Sequence, residues 1–324
     1  MRLATFNLES LGSNAAGSAP LDERIAALKP QLERLDADIL CLQEVNGQRP
    51  DNARPRDLIA LRRLLDATIY RGHHMISTHG ARKDAVSDLH NLVILSRYPI
   101  TASEELRHRL VDPPLYRART VEPAEETPQP VQWDRPLLHA TLELPGGRVL
   151  HVVNLHLRAP LAAPVAGQKS GPFAWHSVEG WAEGFFIAAM KRLGQAVEVR
   201  RLADALFNQD PDALIAVTGD FNAEDRASAL RIAVGSQDDT GNGALAGAML
   251  IPVDRNLAAD RRYSVTHHGR PQMLDHILVS RSLLAALRSV DVHNEVLFDE
   301  LIGPARIDAP PGSFHAPLVA EFAL

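Results

Sequence analysis

The segment Gly219-Asp220-Phe221-Asn222 raises the first chemical expectation. Gly219 permits a tight turn at the end of an apolar run, and alternation sends Phe221 one way and Asp220 and Asn222 the other. A carboxylate and an amide aimed at one spot suit a water or leaving oxygen beside a phosphate oxygen. Glu44 ends the apolar run Leu40-Cys41-Leu42-Gln43, and Glu9 follows Thr5-Phe6-Asn7-Leu8. A carboxylate so placed can hold a hard cation, because Mg²⁺ takes one or two carboxylates with water and phosphate oxygens. Taken singly, each reads equally well as a solvated surface acid. His156 follows Asn154-Leu155, on the opposite parity to Val153 and Leu155, where a lone histidine is ordinarily structural. His315 stands just before the last apolar run, and Asp275-His276 opens another. An Asp–His pair fixes an imidazole tautomer for proton transfer. With Asn7, the set holds four carboxylates, two amides and two or three imidazoles, all at run ends. It fits metal-assisted phosphoester hydrolysis.

The elements that must position these groups are short apolar runs of strand length: 3–7, 38–43, 90–95, 137–144, 149–157, 213–218, 274–279 and 317–322. Helical spacing of apolar residues covers 21–35, 188–207 and, more briefly, 57–65. A run ending in Asn7-Leu8-Glu9, a helix and a run ending in Gln43-Glu44 form one unit. A run ending in Asn154-Leu155-His156, a helix and a run ending in Asp220 repeat it. Two such halves would pack as facing sheets with helices outside. Residues 107–134 and 160–183 lack a steady period and read as insertions. The second directly follows His156 and carries Phe173, Trp175, His176 and Trp181, which suits a lid or rim over a substrate; a self-association patch or a self-packed loop suits it equally.

Composition narrows the classes. The 324 residues are 45% hydrophobic and 23% charged, enough for a sizeable core. A net charge of -6 argues against a constitutively basic nucleic-acid coat. Arg192, Arg200 and Arg201 lie on a helix expected to pack outside a sheet and read as a solvated face. Cys41 is the sole cysteine, which excludes an intramolecular disulfide and a Cys-rich zinc site and suits a reducing compartment. No run approaches the roughly 18 apolar residues of a membrane span. The N-terminal apolar run is too short for a signal peptide. A cytoplasmic protein without a membrane anchor is the expectation.

Thr5-Phe6-Asn7-Leu8-Glu9, Leu42-Gln43-Glu44, Asn91 to Pro99, Asn154-Leu155-His156-Leu157, Gly219 to Asn222, Leu274-Asp275-His276-Ile277 and Ser313-Phe314-His315-Ala316-Pro317 resemble, in order, the motifs of the endonuclease/exonuclease/phosphatase (DNase I-like) superfamily. The resemblance implies an α/β fold, a four-layer α-β-β-α sandwich of two facing mixed sheets with outer helices, as a single domain over residues 1–324. It implies Glu44 as the principal Mg²⁺ ligand, Mn²⁺ being an alternative ion, with Asn7 and Glu9 helping to hold the ion and its water. Asp220 would orient or deprotonate the attacking water, Asn222 would bind the scissile phosphate, and His156 would bond a phosphate oxygen. His315 would sit next to the phosphate, oriented by Asp275; either His315 or Asp220 would take the proton. The implied activity is a divalent-metal-dependent phosphodiesterase or nuclease on a phosphoester substrate, nucleic acid included. A small-molecule or lipid-headgroup phosphatase is the alternative, and an impaired binding protein on the same scaffold a third reading.

One motif departs from the resemblance. Ser313-Phe314-His315 stands where the superfamily usually has Ser-Asp-His, so an apolar ring replaces a carboxylate of the metal shell. Losing an anionic ligand should weaken Mg²⁺ binding. Asp299 or Asp308 is the candidate substitute.

Overall fold

Strand Arg2–Leu11 is buried along both faces: Ala4, Phe6 and Leu8 join one apolar cluster and Leu3 another. The same is true of Ile39–Val45, where Leu40 and Leu42 alternate with Ile39 and Cys41. Burial on both faces is why such strands read as continuous apolar runs. The computed structural model of the chain describes residues 1–15, 17–51, 54–66, 68–80, 83–301 and 310–324.

Two six-stranded sheets contain β1 (Arg2–Leu11), β2 (Ile39–Val45), β3 (His74–Ser77), β4 (Asn91–Ser96), β5 (Ile100–Leu106), β6 (Leu137–Leu144), β7 (Arg148–His156), β8 (Leu214–Asp220), β9 (Ile251–Pro252), β10 (Asp275–Val279), β11 (Leu287–Val292) and β12 (Leu318–Phe322). One sheet has the order β11-β12-β1-β2-β4-β3 and the other β5-β6-β7-β8-β10-β9. Only β1 with β2 and β7 with β8 pair in parallel; the remaining neighbours are antiparallel. Written this way, the sheets share one succession of strand directions. Helix α1 (Leu21–Leu35) joins the first parallel pair, and α3 (Val178–Gln209) the second. The internal repeat is therefore present in the topology, with the last strand, β12, completing the first half.

Three cores separate four layers. Leu3, Ile39, Ile94 and Leu318 of the first sheet meet Leu138, Val152, Ala216 and Ile277 of the second. Leu28, Leu32 and Leu35 of α1 and Leu61 and Leu64 of α2 (Ile59–Leu65) cover the first sheet's outer face. Val199, Leu202 and Leu206 of α3 and Leu230 of α4 (Ser228–Val234) cover the second. Each such buried side chain contributes about 1.5–3 kcal/mol. A polar bridge crosses the central core: Gln43 Nε2 donates to Asn154 Oδ1 (2.7 Å), and Asn154 Nδ2 donates to the carbonyls of Leu42 and Val93 (2.9 Å each). It locks the registers of the two sheets together next to the site described below.

The structure corrects three expectations. The helix expected over 188–207 spans Val178–Gln209, so the insertion expected at 160–183 ends at Ser177, whose hydroxyl caps the helix by accepting the Gly180 N–H (2.9 Å). Gly180 and Gly184 blur the apolar period there, but they let residues 162–168 pack against the helix; a Cβ on Gly184 would lie 2.4 Å from the Ala163 carbonyl. Residues 107–134 are likewise anchored. Glu198 accepts N–H bonds from Arg109 (2.8 Å), Leu110 (3.2 Å) and the Trp133 indole (3.0 Å). Glu183 accepts bonds from Tyr116 Oη (2.8 Å), Arg119 N–H (2.7 Å) and Thr120 N–H (2.8 Å). The arginine cluster is not a solvated face. Arg192 donates to Arg158 O (3.1 Å) and Arg200 to Ala233 O (3.2 Å), both half-buried; only Arg201 is exposed, and it bonds Leu110 O (2.7 Å).

Candidate active site

Parallel pairing brings the C-terminal ends of partner strands together, so Asn7 lies opposite Gln43, and Asp220 opposite His156. The two pairs end at the same edge of the sandwich: Asn7 Nδ2 reaches Asp220 Oδ2 (3.1 Å) and Glu44 Oε1 (3.3 Å). The four antiparallel neighbours begin at that edge. Asp275 starts β10 opposite Asp220, His315 precedes β12, His90 precedes β4, and Arg135 precedes β6.

The backbone bends sharply where these strands stop. Glu9, Ser10, Glu44, His90 and Asn222 all have left-handed φ, between 47° and 57°. Each costs about 1 kcal/mol or more for a residue with a Cβ. Such a turn re-aims a side chain that would otherwise continue the strand's alternation. Gly219 has φ 139°, and a Cβ there would stand 2.0 Å from the Leu155 carbonyl; only glycine lets β8 approach β7 so closely before Asp220.

Asp220 is the hub. Its Oδ2 lies 3.2 Å from His156 Nε2, 3.1 Å from Asn222 Nδ2 and 3.8 Å from His315 Nε2, while Oδ1 accepts the Asn222 N–H (2.8 Å). Glu44 accepts the Ser10 N–H (3.0 Å) and hydroxyl (3.1 Å), and its Oε1 lies 3.8 Å from His156 Nε2. His315 Nδ1 bonds Asp275 Oδ2 (2.7 Å), and Ser313 Oγ links the His315 N–H (3.0 Å) to the Asn7 carbonyl (2.7 Å). The expected site residues are all tied into this network, Glu9 through its backbone. Glu9 donates its N–H to Asn7 Oδ1 (2.9 Å) and places negative potential beside His315 and Arg24.

Burial sets the protonation states. It pushes Asp220 up to about 7, with Asp275 and Glu44 adding to the effect against His315. Burial works the same way on Glu44, but His90, Arg135, His315 and the Asn7 amide outweigh it and hold the carboxyl below its ordinary value. Burial holds His156 well below an ordinary imidazole, reinforced by Arg135, His90 and His315. Burial opposes charge on His315 too, yet Asp275 and Asp220 raise it well above the ordinary value. At neutral pH the edge thus holds an ionised Glu44, a neutral His156, a His315 imidazolium and an Asp220 poised to exchange a proton.

Two residues at this edge escaped the sequence reading. Arg135 is half-buried within electrostatic reach of Glu44 and Asp220, and its Nη1 is buried with no partner among the described residues. His90 stacks on His156, ring centroids 6.2 Å apart. Their signal was positional, since each lies one or two residues ahead of a strand antiparallel to a central one. His276 leaves the candidate set, being buried against Asp254 Oδ1 (3.1 Å) and the Ala223 carbonyl (2.8 Å) behind Phe221. Asp299 accepts the Gly269 N–H (2.8 Å) on a small three-stranded sheet, and Asp308 lies outside the described residues. Phe314 is buried, at 5% exposure.

The donor set fits a divalent cation. Carboxylate oxygens of Glu44 and Asp220 converge on Asn7 Nδ2, and two groups, Glu44 with His90 and His156 and Asp220 with Asp275 and His315, each bring three ligand atoms within 4.8 Å of one another. No described helix is long and apolar enough to cross a membrane.

A search of curated proteins returned no match. Among solved structures, the mannosyl-6-phosphatase of Bacteroides thetaiotaomicron VPI-5482 superposes with a TM-score of 0.58 at 16% identity, covering 99% of this chain and all of that one. The human Nocturnin catalytic domain, solved with bound sulfate, gives 0.54 at 19% identity, over 100% and 93% of the two chains. The 3'-5' exonuclease of Neisseria meningitidis gives 0.51 at 16%, over the full length of both. These likenesses show the fold. The model of the Endonuclease/Exonuclease/phosphatase family matches residues 4–298, and the chain belongs to that family.

Proposed function

We propose that the protein is a divalent-metal-dependent phosphoester hydrolase, acting as a phosphodiesterase or nuclease through an activated water. One observation carries this reading: Asn7, Glu44, His156, Asp220 and the Asp275–His315 pair, drawn from both sheets, meet at one edge within 2.7–3.8 Å of their neighbours.

Glu44 is the anionic ligand for Mg²⁺ or Mn²⁺, with Asn7 and Glu9 supporting it. A bound ion neutralises phosphate charge and makes an attacking water more acidic. Asp220 accepts the water's proton; its value near 7 suits that task, whereas the His315 imidazolium has no free lone pair to do so. His315, held by Asp275, stabilises charge developing on the phosphate. Arg135 Nη1 and His156 Nδ1, buried with no hydrogen-bond partner among the described residues, offer further donors to phosphate oxygens, and Asn222 would join them by exchanging its bond to Asp220 Oδ2 for one to the phosphate.

Helix α3 shapes access. Arg158 N–H meets Gln195 Oε1 (3.0 Å), so that level of the helix marks the catalytic edge. Residues 178–191 run on beyond it for about 21 Å at 1.5 Å per residue. This overhang, with residues 158–177 packed on it, forms a wall on the second sheet's side, and exposed Phe173, Trp181, Phe185 and Phe186 make it a rim for the substrate's non-phosphate part. The net charge of -6 favours a second reading, a phosphatase of small phosphoesters, over action on a long polyanion.

A screen with Mg²⁺ and Mn²⁺ over plasmid DNA, RNA, bis-p-nitrophenyl phosphate and phosphomonoesters tests the proposal and separates the two readings. Glu44→Gln and Asp220→Asn should each slow turnover by at least about a hundredfold. Near-normal rates in either variant remove that residue from the mechanism, and no metal-dependent hydrolysis of any substrate by the wild type refutes the proposal.

A further inference from the structure

His90 has no role in the reading above, and nothing in the fold requires an imidazole there. Its ring makes no hydrogen bond to another described residue. What is held firmly is its backbone: φ is 57°, the His90 N–H bonds Asn46 Oδ1 (3.0 Å), and the next side chain, Asn91, donates to the carbonyls of Val45 (2.9 Å) and Ser87 (2.8 Å). A strained, anchored turn thus presents a ring with no hydrogen-bond partner among the described residues. That ring lies over His156, the two planes 20° apart, and one ligand atom from each of Glu44, His90 and His156 falls within 4.8 Å of the others. Two ligands each 2.0–2.2 Å from one ion stand no more than about 4.4 Å apart. Three ligands sharing one ion stand about 3–4 Å apart in pairs, so side-chain adjustments of up to about 1 Å bring the three onto one cation. The neighbouring trio is less available, since His315 Nδ1 is already bonded to Asp275 at 2.7 Å.

We infer that His90 joins Glu44 and His156 to make a mixed carboxylate–imidazole centre, selective for a first-row transition ion such as Mn²⁺ or Zn²⁺ over Mg²⁺. Mg²⁺ is a hard ion that takes oxygen ligands and sheds water reluctantly. Imidazole nitrogens favour the transition ions, and each one added widens the gap. The inference rests on Glu44 being the ion's carboxylate, as proposed above, and it moves His156 from the phosphate to the ion, leaving Arg135 and Asn222 to meet the phosphate.

Calorimetric titration of Mg²⁺, Mn²⁺ and Zn²⁺ into the chelator-stripped full chain tests this, comparing wild type, His90→Asn and Glu44→Gln. Asparagine tolerates left-handed φ, so His90→Asn keeps the turn and offers an amide oxygen in place of nitrogen. The expected result is at least a tenfold loss of Mn²⁺ and Zn²⁺ affinity in His90→Asn with Mg²⁺ affinity within twofold of wild type, and loss of all three ions in Glu44→Gln. Spin-echo modulation of the Mn²⁺-loaded wild type should show coupling to imidazole ¹⁴N, which reads ligation directly and does not depend on any variant folding. Equal losses for all three ions, no loss in His90→Asn, or absence of the ¹⁴N signal would each overturn the inference. Selective binding by a protein that cleaves no phosphoester would leave the inference standing and sink the catalytic reading. Glu44-dependent hydrolysis with unchanged selectivity in His90→Asn would do the reverse.

Discussion

Replacing Asp275 by Asn tests the proton economy of the site at its most specific contact. The 2.7 Å bond from His315 Nδ1 to Asp275 Oδ2 lies in a fully buried setting, and Asp275 is the largest favourable influence on the imidazolium. A charge-assisted hydrogen bond of this kind contributes about 1.5–3 kcal/mol. At 1.36 kcal/mol per unit, its loss lowers the His315 pKa by about 1–2 units. Asp220, 3.8 Å from His315 Nε2, remains and keeps part of the rise. In the wild type the folded value lies above 6.5, so the imidazolium persists through neutral pH and is lost only as pH climbs through the raised value. If the charge stabilises the reacting phosphate, activity falls along that same limb. Asp275→Asn should therefore move the alkaline limb of kcat/KM about 1–2 units towards acid, and cut the rate roughly 10–100-fold at a pH on the wild-type limb. The stability that His315 contributes, complete below the unfolded value and lost through the folded one, should fade at correspondingly lower pH. The assay is a pH–rate profile at saturating metal, with the His315 ring titrated by NMR in the same buffers. An alkaline limb that overlays the wild type while the ring's pKa has moved would show that the His315 charge plays no part in catalysis. An unmoved ring would refute the electrostatic reasoning itself.

Arg135→Lys keeps a charge but loses the planar fork, and kcat/KM should fall by about 10²–10³ as for other lost transition-state donors; competition by inorganic phosphate, weakened in parallel, checks that the lost contact is to phosphate. Glu183→Ala strands the N–H groups of Arg119 and Thr120, at about 1–3 kcal/mol each, and should open residues 116–120 to proteolysis before the rest of the chain. Burial raises the Glu183 carboxyl, but bonds from Thr120, Arg119 and Tyr116 outweigh it and hold the group at about 2. Its contribution is therefore complete above about 4.3 and lost as pH falls towards 2, so protease sensitivity of this segment should rise in acid in the wild type and be pH-independent in Glu183→Ala. Phe314→Asp, which places a carboxylate in a buried position, should lower the melting temperature by several degrees; a metal-dependent rise in melting temperature exceeding that of the wild type would show that the residue replaces a ligand of the metal shell, and no such rise would count against it.

The order of the motifs made the sandwich legible, because each sheet's centre is one strand–helix–strand unit whose apolar runs are buried on both faces. Edge strands were missed for the converse reason. Ile100–Leu106 has exposed residues through its middle, and Leu287–Val292 buries little beyond Val292, so neither carries a continuous apolar signal. The N-terminal half of α3 was hidden because its buried face is Gly180, Glu183, Gly184 and Ala188. No hydrophobic period exists where the partners are loop carbonyls and N–H groups rather than a sheet.

The site was legible at strand ends that carry a motif, and silent at strand starts that do not. Asn7, Glu44, His156 and Asp220 stand at the C-terminal ends of the two parallel pairs, where a polar residue abruptly closes an apolar run. Their antiparallel neighbours must begin at the same edge, so each contributes the residue just before or at its start. Two of those, His315 and Asp275, sit inside recognisable motifs; His90 lies one residue outside the motif that starts at Asn91, Arg135 lies in none, and each looks like any polar residue ahead of a strand. Topology makes the four equivalent in a way that spacing along the chain does not. Once the sheet order is known, a search for chemistry in this chain has eight places to look rather than six, and the two added places hold the stacked His90 ring and the buried Arg135 Nη1, on which the metal preference and the phosphate contact are proposed to depend.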